Sequence, residues 1–233
     1  GNKPFFTTMI DVHHLEHSRS QRIIWLLEEL GLPYKVTRYA RDAKTYLAPP
    51  ELLKIHPLGK SPVITDGDIT VAESGAIVEY LIDKAGGKFR PAAGTQAHRD
   101  YTYWMHFAEG TAMPPLVMTL VFNKIENAPV PALLKPIVLP IARGISKQVK
   151  TSFINPNLEK QFAYIESVLA KNEWFCGSEM TGADFMMSFP LEAAMSRAES
   201  INSMPKISAY VKRIHAMPSF KKALEVGGPY NYA

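Results

Sequence analysis

Apolar and polar positions follow two different rhythms along this chain of 233 residues. Residues 9–15 alternate and are rich in β-prone types. The turn-like His17-Ser18-Arg19-Ser20 follows, and Ile23, Leu26, Leu27 and Leu30 then recur at helical spacing across residues 22–30. Gly31-Leu32-Pro33 stops that helix and residues 34–39 resume a strand pattern, which predicts a parallel βαβ unit. A shorter helix is predicted over residues 46–55. Pro57 and Gly59 break the chain before Val63-Ile64, the turn Asp66-Gly67-Asp68 and the stretch 69–71, which together read as a hairpin. Over residues 73–85, Ala76, Ile77, Tyr80 and Leu81 return to helical spacing, which ends at Gly86-Gly87.

The resulting order, βαβαββα over residues 1–86, is that of an α/β thioredoxin-like domain. Residues 87–97 read as a linker, and no stretch after them shows strand alternation. Residues 98–233 therefore predict an all-α helical domain, with helices over 98–123, 131–153, 156–170, 183–199, 205–216 and 219–226.

Composition narrows the function classes. Hydrophobic residues at 46% and charged residues at 21% describe an ordinary globular chain and exclude a disordered or fibrous one. The formal charge of +4 is spread among acidic residues, which argues against nucleic acid as a partner and leaves a mild attraction for anionic small molecules. The apolar stretch 131–145 is broken by Lys135, Pro136, Pro140 and Arg143, and falls short of the roughly 20 residues a membrane span needs. Residues 1–8 lack a basic region followed by an apolar core, so no secretory leader is expected. The single cysteine, Cys176, cannot form an internal disulfide, which fits a reducing, cytoplasmic setting. His13, His14 and His17 cluster without the Cys or carboxylate set that metal ligation requires, so no metal is expected.

Three segments carry the candidate chemistry. His17-Ser18-Arg19-Ser20-Gln21-Arg22 lies between the first strand and first helix. His56-Pro57-Leu58-Gly59-Lys60-Ser61-Pro62-Val63 precedes the third strand. Val71-Ala72-Glu73-Ser74-Gly75-Ala76-Ile77 opens a helix, with Glu73 eleven positions after Pro62, the room a hairpin needs. Taken singly, Ser18 or Ser20 reads as a helix cap, Lys60 as a surface lysine and Glu73-Ser74 as a helix start. As an ordered set they resemble the cytosolic glutathione transferases, particularly serine-type bacterial and fungal members. That resemblance extends over nearly the whole chain, to Gly227-Gly228-Pro229-Tyr230.

The resemblance implies a hydroxyl on the glutathione sulfur four positions before the helix-opening arginine. With Arg22 in that place it selects Ser18 as the catalytic residue and leaves Ser20 as the cap. A thiol of pKa about 8.5 is mostly protonated at neutral pH, so a transferase must stabilise the thiolate. Lowering that pKa by two units requires about 2.7 kcal/mol, within reach of one charged hydrogen bond and helix-end amides. The resemblance also makes Pro62 a cis-proline, freeing the Ser61 N–H and C=O to pair with the cysteinyl unit as a strand would. It directs Lys60 to the glycyl carboxylate, Glu73 to the α-ammonium group, and Ser74, at a helix N-terminus, to the γ-glutamyl carboxylate. His56 stands where the family more often has Asn, and its role stays open.

In the second domain Met105, Ala108, Ala112 and Met113 lie roughly on one helical face and are candidates for the pocket of a second, apolar substrate, or for core. Tyr230 is a candidate to close that pocket. Thr181-Gly182-Ala183-Asp184 resembles a capping box with a folding role, and Cys176 reads as a small packed residue. The expectation is a detoxifying glutathione S-transferase, with glutathione as co-substrate, no further cofactor, and a homodimer pairing the first domain of one subunit with the helical domain of the other. A binding or regulatory module with little turnover and a glutathione-dependent peroxidase are the alternatives. Thiol–disulfide chemistry would need a cysteine near position 18, and none stands there.

Overall fold

The computed structural model describes residues 8–197 and 203–233. Its first domain comprises β1 (Ile10–Leu15), α1 (Gln21–Leu30), β2 (Tyr34–Tyr39), β3 (Val63–Asp66), β4 (Ile69–Ala72) and α2 (Ser74–Lys84). The strands form one mixed sheet in the order β2-β1-β3-β4, with β1 parallel to β2 and antiparallel to β3, and β3 antiparallel to β4. This is the thioredoxin-like arrangement the pattern predicts. Gly31, at φ +67, ends α1 in the left-handed conformation that glycine adopts without penalty, and its N–H bonds the Leu27 carbonyl at 3.0 Å.

The helix expected over residues 46–55 is reduced to a single 3₁₀ turn, Pro50–Lys54. Pro49 and Pro50 remove two amide donors, and a proline drives the residue before it out of the helical region. Pro49 accordingly sits extended at φ −71, ψ 152.

The second domain is helical: α3 (Gln96–Phe107), α4 (Met113–Glu126), α5 (Lys135–Val149), α6 (Asn155–Lys171), α7 (Gly182–Arg197), α8 (Pro205–His215) and α9 (Pro218–Gly227). A π-helical turn, Ala108–Ala112, joins α3 to α4, and another, Lys150–Ile154, joins α5 to α6. The stretches expected as separate helices over 131–153 and 156–170 thus form one run, because Pro156 falls in the first turn of α6, where its missing N–H is tolerated. The expected end of the helix at residue 199 and the opening residues 1–7 lie outside the described residues.

One hydrophobic core joins the two domains. Trp25 of α1 is fully buried between Phe185 of α7, with ring centroids 4.2 Å apart, and Phe220 of α9, at 5.7 Å. Its indole N–H donates to Ser219 Oγ at 3.0 Å, which satisfies its one polar atom. Gly182 opens α7 where a Cβ would stand 2.7 Å from the Ile82 Cδ1 of α2 and 3.0 Å from the Tyr101 ring of α3, so any larger residue must displace those side chains. The capping box forms: Ala183 N–H donates to Thr181 Oγ1 at 3.2 Å, and Asp184 accepts from the amides of Thr181 and Phe175 at 2.9 and 3.1 Å.

Candidate functional site

A cleft of about 550 Å³ opens beside the sheet, and its wall includes Arg19, Lys60, Ser61, Pro62, Glu73 and Ser74. The Ser61–Pro62 peptide bond is cis. Ser61 anchors the turn through its side chain, Oγ donating to the His13 carbonyl at 2.7 Å and accepting the Leu15 N–H at 3.1 Å. This continues the edge of β1 where its pairing with β3 ends at His13–Val63. Among the described residues the Ser61 N–H and C=O have no hydrogen-bond partner, so both remain free for an extended backbone laid beside them.

Across the cleft α2 begins. Glu73 holds φ +74 and ψ 124, a region non-glycine residues occupy at a cost of order 1–3 kcal/mol, and its side chain makes no cap bond. The first amides of α2 therefore keep their donors, and the positive end of the helix dipole faces the cleft beside buried Ser74. Exposed Lys60 adds a cation to the same wall. His56, the open question, lines the cleft and accepts the Leu58 N–H on Nδ1 at 3.2 Å, a bond internal to its loop.

Ser18 lies next to this wall, 6% exposed. Its hydroxyl donates to the Leu15 carbonyl at 2.6 Å and lies 2.6 Å from Ser20 Oγ. Ser20 occupies the cap position of α1 but makes no side-chain cap bond, contrary to expectation. It is fully buried, and its hydroxyl is taken up by His14 Nδ1 at 2.6 Å instead of by the helix amides. Of the two serines, only Ser18 keeps any exposure.

Glu109 went unnoticed in the sequence. It stands in the π-helical turn after α3, accepts from Arg19 Nε at 3.0 Å and pairs with the buried Arg22 of α1, whose other nitrogen donates to the Met186 carbonyl at 2.7 Å. Burial alone would raise its pKa, but Arg22 and Arg19 outweigh that and hold it below the usual carboxylate range. Glu109 and Glu73 also belong to the wall of a second cavity, of about 360 Å³, together with Met105, Met186, Glu79 and His106. Ala108, Ala112 and Met113 lie in the core cluster behind it, and the Tyr230 hydroxyl is turned to Glu192 of α7 at 3.2 Å. Burial pushes the Cys176 thiol up to about 12, away from the thiolate form.

Comparison with known proteins bears on the family and the fold. Residues 7–83 match the model of the glutathione S-transferase N-terminal domain and residues 140–226 that of a glutathione S-transferase C-terminal domain. Glutathione S-transferase 3 of Schizosaccharomyces pombe is 36% identical over 219 residues, covering 93% of this chain and 87% of its own. Glutathione S-transferase 1 of Saccharomyces cerevisiae is 32% identical, covering 93% and 94%. Among solved structures, a glutathione S-transferase from Actinobacillus pleuropneumoniae superposes with a TM-score of 0.76 at 32% identity, over 96% of this chain and 95% of that one. A Phanerochaete chrysosporium glutathione transferase solved with oxidized glutathione, at 22% identity and a TM-score of 0.72 over 94% and 95%, shares the fold. With both domain models matched in order and relatives this similar over nearly the full length, the chain belongs to the glutathione S-transferase family and is a glutathione transferase.

Proposed function

We propose that Ser18 holds the sulfur of glutathione as its thiolate, for attack on an apolar electrophile. The tripeptide lies across the cleft, its cysteinyl backbone on Ser61 beside Pro62, its glycyl carboxylate toward Lys60 and its γ-glutamyl end between Glu73 and Ser74. The observation that carries this reading is that Lys60, Ser61, Pro62, Glu73 and Ser74, drawn from two separate segments, all line one cleft, with Arg19, the neighbour of Ser18, on the same wall. The charges suit the ligand: a cation at one end, and a carboxylate beside open helix amides at the other. In the reaction the thiolate lone pair forms the carbon–sulfur bond, and the leaving group departs with its bonding pair. The thiol proton has by then been lost to solvent. The acceptor enters on the Met105 side of the second cavity, where Met105 and Met186 offer adaptable apolar walls, with Ala108, Ala112 and Met113 packed behind.

Initial rates with glutathione and an activated aryl halide test this. Ser18→Ala should lower kcat/KM about 100-fold, the equivalent of two pKa units on the bound thiol, while calorimetry still shows glutathione binding. An Ser18→Ala enzyme as fast as wild type removes the role given to Ser18. Tight binding of glutathione with no turnover of aryl halides or hydroperoxides would favour a regulatory module.

A cytoplasmic homodimer completes the reading. Its support is the exposed apolar surface of α4 and α5, with Val121, Ile137, Ile141 and Ile145 about half exposed or more and Leu133 92% exposed, which a second copy would cover. A sedimentation-equilibrium mass of one chain would refute it.

A further inference from the structure

Ser18 has a neighbour on each side that is tied to the stretch following α9. His17 takes the left-handed backbone conformation, φ +53, which the Cβ of a non-glycine residue disfavours, so contacts around it must hold the turn. One is made by its own side chain, whose Nδ1 accepts the Asn231 N–H at 2.9 Å. Arg41 makes the other, donating from Nε to the Glu16 carbonyl at 3.0 Å and from Nη2 to the His17 carbonyl at 3.2 Å. On the far side of Ser18, the Arg19 guanidinium stands 5.4 Å from the centre of the buried Phe189 ring, and Tyr232 packs edge-on against that ring at 5.3 Å.

Residues 228–232 give these two contacts a fixed support. Gly228 leaves α9 at φ +78 and ψ −148, a region that essentially only glycine enters, and a Cβ there would stand 3.0 Å from Arg38 Nη1. Arg38 of β2 in turn holds the end of α9, donating from Nε to the Val226 carbonyl at 3.0 Å. Tyr230 donates its hydroxyl to the buried Glu192 carboxylate of α7 at 3.2 Å, and the Tyr232 hydroxyl accepts from Arg197 of the same helix at 2.8 Å. These tyrosines flank Asn231, so its amide is pinned from either side to α7, a helix of the core that joins the domains. A hydrogen bond from a segment ordered in this way costs little further entropy and can restrain the turn that receives it.

We propose that residues 230–232 brace the sulfur-holding turn, with His17, Asn231 and Tyr232 as positioning residues that fix where the Ser18 hydroxyl points. None of the three lines the cleft, so they act through Ser18 and not on the tripeptide. The inference rests on the reading of Ser18 as the sulfur contact, and the experiment separates the two. Titrating the ultraviolet thiolate absorbance of enzyme-bound glutathione reads the thiol pKa directly. Ser18→Ala should raise it most. His17→Ala and Tyr232→Ala should each raise it by about half to one unit, leaving about three- to ten-fold less thiolate at a pH below the bound pKa, with KM for glutathione little changed. His17→Asn should restore the wild-type titration, because asparagine tolerates the left-handed backbone and its Oδ1 can accept the amide in place of Nδ1. Tyr232→Phe, which keeps the ring against Phe189, should stay close to wild type. His17→Ala placed on Ser18→Ala should add nothing, because its effect passes through Ser18. If Ser18→Ala shifts the titration while His17→Ala leaves it unmoved, if His17→Asn is as impaired as His17→Ala, or if the shifts add, the brace is wrong and Ser18 stands. If Ser18→Ala itself moves nothing, the parent reading fails and the brace with it. Should a substitution prevent folding, nitrogen NMR of the wild-type His17 ring reports its tautomer, and a proton on Nδ1 overturns the proposal.

Discussion

Glu73 separates two demands placed on one residue. Its backbone, at φ +74, opposes the steric preference of any residue with a Cβ, while its side chain stands on the cleft wall. Glycine at this position relieves the backbone and deletes the carboxylate together. Glu73→Gly should therefore raise stability to urea by about 1 kcal/mol and yet raise KM for glutathione roughly tenfold, the loss of one charge-assisted hydrogen bond. An unchanged KM would show that the carboxylate does not meet the ligand. The reasons that make Glu73 testable also made it legible. Ser18, Ser61, Glu73 and Ser74 stand at a strand end, a turn before a proline and a helix start, and such places leave short motifs at fixed spacing. Glu109 and His14 leave none. Glu109 meets Arg19 and Arg22 across 90 and 87 positions of sequence, and His14 reads as one more strand residue until the fold sets Ser20 against it.

Among the elements, legibility tracked how local the deciding forces are. The βαβ unit and the hairpin follow from alternation and from Gly and Pro stops, which act within a few residues. The start of α7 was equally readable, because Thr181 and Asp184 satisfy amides within their own turn, although Asp184 also accepts from Tyr210 of α8 at 2.8 Å, which no motif announces. Residues 46–55 misled because their apolar spacing suits a helix while Pro49 and Pro50 deny it the donors. The two π-helical turns were invisible: one widened turn shifts the apolar register by a single residue, within the tolerance of any periodic pattern. One of them carries Glu109, so the element hardest to read in the sequence is the one that brings the helical domain to the cleft beside the sheet.

At the scale of the molecule, the core that runs from the sheet through α1 and α7 to α9 makes both domains one cooperative unit, and titration of its buried groups must appear in its stability. Two of them oppose each other. Burial lowers the His14 pKa to about 4 from 6.5, against a hydrogen bond to the Gly227 backbone and the charge of Glu16, with Arg38 and His17 acting in the same sense as burial. The unfolded chain therefore gains a proton between those values that the native state refuses, and stability from this group is lost as pH falls from 6.5 toward 4. Burial raises the Asp184 pKa to about 6 from 3.8, against the pull of the Thr181 and Phe175 amides, Tyr210 and Arg213. Here the native state holds the extra proton, so its contribution is full below 3.8 and is lost as pH rises through 6. Each shift is on the order of 3 kcal/mol, and across the shared window the two nearly cancel. His14→Asn removes one side of that balance and leaves Asp184 unopposed. Urea unfolding near pH 6.5 and near pH 4 should show the variant gaining stability relative to wild type on acidification, by up to about 3 kcal/mol. Groups common to both proteins drop out of that difference. Parallel pH profiles would mean that His14 takes up its proton as readily in the native protein as in the unfolded chain, and is not the buried neutral ring that its surroundings imply.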